Sequence, residues 1–182
     1  MKKRKKILIA IIVLLAITFV GSLALPVAKH VWIRLMVSKA QKMGEEMRED
    51  LLCKTDFPAL LAACRELSNR AAKGELKPGR YFISNGPRDP QVLSFPQPIL
   101  DLEPSGLYID ENNSGRVMLE MLGGLDHFGV LAYTEDYKKP SWTNKYGDRE
   151  LIHGLWYYDD NYKKIPNYDA RVEALLQKRK DN

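Results

Sequence analysis

Two carboxylates and an imidazole bracket a pair of glycines in Glu120-Met121-Leu122-Gly123-Gly124-Leu125-Asp126-His127-Phe128-Gly129. Glycines let a backbone turn tightly or approach a ligand closely, and an imidazole titrates near neutrality. Asp126 and His127, with Glu120 or His153 in support, are therefore the weak catalytic candidates of this chain, and the chemistry they suit is proton transfer in a small hydrolase-like site. On a strand, neighbours point to opposite faces, so Asp126 and His127 pair only if the turn re-aims one of them. The plainer reading, in which the glycines make a turn or bulge and His127 makes one hydrogen bond, is preferred.

A second concentration is aromatic. Trp142, Tyr146, Trp156, Tyr157, Tyr158 and Tyr162 are interleaved with Asn144, Asp148, Asp159, Asp160 and Asn161. Flat rings with polar tips beside amides and carboxylates suit a protein, peptide or glycan partner, which makes Trp142, Tyr146, Trp156, Tyr158 and Tyr162 weak binding candidates. Strand alternation places Trp156 and Tyr158 on one face and Tyr157 on the other, so at least one set is expected in the core. Other chemistries lack their signatures. No CxxC, GxSxG or SxxK occurs, and Asp159-Asp160-Asn161 lacks the glycine and distal glutamate of a calcium loop. The histidines show no metal-ligand spacing, so no cofactor or metal is expected. Cys53 and Cys64 are the only cysteines. Export would permit a bond between them, although a position at the end of one helix and two turns into the next argues for separate, reduced thiols.

Charge narrows the partners. Of 28 Lys and Arg, six lie before residue 30, while the first acid is Glu45; the 22 that remain face 23 acidic residues, a balance of −1. Such a mixed surface lacks the basic footprint of a nucleic-acid binder. Residues 7–28 carry no charged side chain, and 22 helical residues reach about 33 Å, enough for the hydrocarbon core of a bilayer. Five cations in residues 1–6 place that short tail in the cytoplasm and the remainder outside it, with His30 and Trp32 near the headgroups. A cleaved signal peptide ending at Ser22-Leu23-Ala24 is the competing reading; an uncleaved anchor is preferred because the apolar run continues through Leu25, Val27 and Ala28.

The elements that must position the candidates follow from periodicity. Val31, Trp32, Leu35, Met36, Ala40, Met43, Met47 and Leu51 recur at helical steps, which predicts a helix to about Cys53 with a packed apolar face. Asp56 caps a second helix that accepts Pro58 in its first turn, runs to about Ala72 and ends at Gly74, so the two form a hairpin. A short strand is expected at Arg80–Ser84, then a proline-rich loop over 87–104 with at most one helical turn after Asp89-Pro90. Four strands follow at Gly106–Asp110, Arg116–Leu122, Phe128–Tyr133 and Glu150–Tyr158, and a terminal helix from about Asp169 turns Val172, Leu175 and Leu176 inward. The expected architecture is α+β. A basic tail (1–6) and a transmembrane signal anchor (7–28) precede one domain (29–182), in which a helical hairpin and a C-terminal helix pack on an antiparallel sheet of about four strands. The function expected is that of a membrane-tethered extracytoplasmic binding or accessory module, with the hydrolase-like enzyme as the alternative.

Overall fold

Helical periodicity after residue 28 does produce a helix, α1, over residues 29–49, which a single wide turn, Asp50–Lys54, extends. The computed structural model describes residues 29–84, 89–110, 115–123, 126–135 and 148–180, without the side chains of 122, 123 and 126. The expected span at 7–28 lies outside the described residues, and among those described no helix is long and apolar enough to cross a membrane. The chain divides into two units, Met1–Ala40 and Gln41–Asn182. In the first, Val31, Trp32, Ile33, Leu35 and Met36 are all exposed. The α1 stripe is thus not a packed face along its length: Val31, Trp32, Leu35, Met36 and Met43 are exposed, Ala40 and Met47 are half-buried, and burial is complete only at Leu51 and Leu52.

Within the second unit, helix α2 (Phe57–Ala72) starts where its cap dictates, with the Asp56 carboxylate accepting from Ala59 N at 3.1 Å and Pro58 in the first turn. Gly74, at φ +74°, ends it. The proline-rich stretch holds more helix than expected. Asp89 caps a short 3₁₀ turn, Pro90–Ser94, and a further helical turn, α3 (Gln97–Leu100), follows. Prolines in a first turn lose no hydrogen bond, so Pro90 and Pro98 start these turns rather than forbid them.

The sheet has six antiparallel strands, not four, in the order β1-β2-β3-β4-β6-β5. These are β1 (Gly79–Phe82), β2 (Gly106–Ile109), β3 (Val117–Gly123), β4 (Asp126–Ala132), β5 (Arg149–Ile152) and β6 (Leu155–Asp159). The expected short strand joins the sheet as edge strand β1, pairing with β2. The expected single strand over 150–158 folds back at His153-Gly154 into β5 and β6, because Gly154 takes φ +91° and permits a two-residue hairpin connection. The fold is therefore α+β, with helices packed on an antiparallel sheet.

Alternation along the strands separates two faces. Leu107, Ile109, Leu119, Phe128, Val130 and Tyr157 point inward and pack with Leu60, Cys64 and Leu67 of α2. Helix α4 (Tyr168–Lys180) adds Tyr168 and Val172 to this core and lies against the Asp50–Lys54 turn. One polar knot sits inside. Asp159, wholly buried, accepts from Arg48 Nε at 2.7 Å, from Tyr157 OH at 3.1 Å and from Asn161 N at 2.9 Å, while the Arg48 guanidinium lies 4.6 Å from the centre of the Phe128 ring. Burying this charge is tolerable only because its oxygens are so fully partnered. Both cysteines are free thiols. Cys53 Sγ donates to Leu175 O at 3.3 Å, and burial pushes the Cys64 thiol up to about 12.

Candidate functional site

The face of the sheet opposite α2 carries the polar candidates. Glu120 faces outward from β3, and its direct cross-strand partners are glycines on both sides, Gly106 on β2 and Gly129 on β4. With no side chains beside it, the carboxylate is reachable by longer residues from farther strands. Arg80 of β1 reaches across Gly106, and its Nη2 donates to Glu120 Oε2 at 2.5 Å. His127, two residues before Gly129 and so diagonal to Glu120, brings Nδ1 to 3.2 Å from Oε1. A carboxylate oxygen only accepts, so Nδ1 carries a hydrogen there, and Nε2 is the ring nitrogen left for a further partner.

Burial grades this trio. The Glu120 side chain is 16% exposed, whereas Arg80 and His127 are 53% and 54% exposed. The acid is the anchored member and the two donors are presented. A hollow of about 230 Å³ adjoins them, floored by Met118 and Tyr158 and edged by Arg116 and Asp160. Tyr158 lies over Gly129 and donates to Leu119 O at 3.4 Å. Burial pushes its phenol well upward and the Glu120 carboxylate adds to that shift, so the ring is held neutral rather than poised as a nucleophile.

The other candidates are placed elsewhere. The side chain of Asp126 and all of Trp142 and Tyr146 lie outside the described residues. His153 sits exposed in the β5–β6 turn, its Nδ1 3.6 Å from Glu150 Oε1. Trp156 and Tyr158 share the outward face, as alternation requires, but are buried together with Leu131 and Tyr133 in a second apolar cluster. Tyr162 is half-buried, edge-on to Tyr168 at 5.9 Å. Sequence reasoning missed Arg80. Its outward position in a short strand was readable, but its place two strands from Glu120 depends on a sheet order that no local pattern encodes.

Among these residues the chemistry on offer is a doubly held carboxylate with a guanidinium and an imidazole beside an apolar hollow. No family model, curated protein or solved structure matches the chain, so the reading of this site rests on its own geometry.

Proposed function

We propose that this protein is a membrane-tethered, extracytoplasmic binding or accessory module, anchored by residues 7–28, whose outward sheet face receives a protein, peptide or glycan partner. The observation that carries the binding role is the Arg80–Glu120–His127 trio. One carboxylate fixes two half-exposed donors on a rigid sheet, which suits recognition of carbonyl, hydroxyl or carboxylate oxygens. The tether is supported by the uncharged run 7–28 and by exposed Val31, Trp32, Ile33, Leu35 and Met36 directly after it, the kind of side chains that settle at a membrane interface.

Arrays of carboxylate-bearing peptides and glycans, probed with the purified full chain, test the binding role. Binding lost in both Arg80→Glu and His127→Glu is the expected result, and binding indifferent to both overturns it. A second reading has one observation in its favour, the 3.2 Å Glu120–His127 contact, which would orient the imidazole as a base toward water. Turnover of chromogenic ester, glycoside or phosphoester substrates that vanishes in His127→Ala would make the protein a hydrolase. The binding reading expects no such turnover.

A further inference from the structure

On the helix-bearing side, the Asp50–Lys54 turn, the start of α2 and residues 98–103 border a half-open cavity of about 590 Å³. Its size falls within the range that holds small ligands. The apolar lining comes from Met47, Leu51, Leu102 and Met121, of which Leu51 and Met121 are core residues. Two methionines give such a pocket adaptable walls.

The polar lining is mostly anionic: four exposed carboxylates, Asp50, Asp56, Asp101 and Glu103, stand against one cation, Lys54, and the Thr55 hydroxyl. Asp50 is paired with Lys54 at 2.6 Å, and Asp56 caps α2. Among the described residues, Asp101 accepts a side-chain hydrogen bond only from the neutral Gln97 amide, at 2.6 Å, and Glu103 has no ion-pair partner. Two exposed carboxylates with no ion-pair partner among the described residues therefore line the same cavity. An anionic ligand is repelled there, and a neutral one leaves the charges unused; the complement is a cation carried on an apolar body. We propose that this cavity binds a small organic cation, an amine on an aromatic or aliphatic frame, with Asp101 and Glu103 receiving the ammonium and the methionines covering the frame. This does not rest on the outward sheet face, which uses none of these residues.

Three indole probes of one shape separate charge from hydrophobicity: tryptamine, tryptophol and indole-3-propionate. Binding to the full chain in zwitterionic nanodiscs is followed by saturation-transfer NMR, with empty nanodiscs as the control. Tryptamine should bind roughly tenfold more tightly than tryptophol, as two carboxylates acting at a partly exposed site allow, and indole-3-propionate should bind most weakly. The double variant D101N/E103Q should erase the preference for tryptamine while leaving tryptophol binding in place, and Met47→Trp, which fills the cavity, should remove all three. Equal affinity for the three probes overturns the proposal. So does tryptamine binding that survives both sets of substitutions, or an absence of transfer to tryptamine at about 5 mM, a concentration at which a fragment of this size should register. Circular dichroism of each variant, expected to match the parent, separates loss of the site from loss of the fold.

Discussion

A Cβ added at Gly129 would lie 1.9 Å from the Leu119 carbonyl oxygen and 3.1 Å from Tyr158 Cε1. Neither the backbone of β3 nor a buried ring can yield that space without breaking the pairing between β3 and β4. Gly129→Ala should therefore cost about 3 kcal/mol in urea denaturation, whereas His127→Ala, which removes one partly exposed hydrogen bond, should cost about 1 kcal/mol or less. Equal midpoints for the two variants would contradict this account of the site. Cys64 supplies a pH dependence. Its folded-state value is raised, from 9.0 to about 12, so an unfolded chain loses the thiol proton first and stability must fall as pH rises above 9 toward 12. Between pH 9 and 10 the parent should lose up to about 1.4 kcal/mol more than Cys64→Ala, measured by urea melts at each pH. The buried stripe position of Cys64 was legible from its spacing with Leu60, Leu61 and Leu67. The importance of Gly129 was not, because the space it must leave open is set by the Leu119 carbonyl of β3 and the Tyr158 ring of β6, and not by the glycine's neighbours in sequence.

At the scale of elements, the tie between the end of α1 and the sheet is the Arg48–Asp159 pair. Removing either partner strands the other charge in the core, so Arg48→Ala or Asp159→Ala should each destabilise by about 3–5 kcal/mol. Arg48→Met with Asp159→Leu should cost much less than the two single changes summed, because the double variant leaves no orphaned charge. Chemical denaturation of the four-member cycle checks this; additive losses would show that the pair acts only through packing. Element ends were well read where local chemistry decides them, as with Asp56, Pro58 and Gly74 around α2. They were misread where one signal serves two purposes. The turn after Asp89-Pro90 was expected, but Pro98 looked like a breaker and begins a second turn, and His153-Gly154, inside an apolar run, looked like strand but makes the hairpin connection. The α1 stripe has uniform periodicity, and nothing in it announces that its first four members are exposed and that full burial waits until Leu51.

For the whole molecule, every buried core side chain among the described residues belongs to Gln41–Asn182. A fragment of residues 41–182 should fold without detergent and show a cooperative thermal transition by circular dichroism, while residues 55–182, lacking Arg48, Leu51 and Leu52, should not. Failure of the longer fragment would make residues 29–40 part of the folding unit. For the proposed tether, alkaline phosphatase fused after Asn182 should be active; an inactive fusion beside a bright cytoplasmic fluorescent counterpart would reverse the orientation. The α+β class was legible from the order of periodicities, helical before residue 74 and alternating after it. The strand count of the sheet was not: β1 was readable as a strand but not as a member of the sheet, which only its pairing with β2 decides, and β5 is a four-residue edge hidden in one apolar run with β6.

The same buried ion pair orders events in time. Its partners are separated by 111 residues. On a ribosome, Arg48 emerges long before Asp159 exists, so the α1 end waits undocked while β1 to β4 are made in their order across the sheet, each pairing with the strand before it. Only when β6 arrives can the first part of the domain close onto the last. A chain cut short before residue 159 should therefore keep Leu51 and Leu52 open to chaperones and proteases.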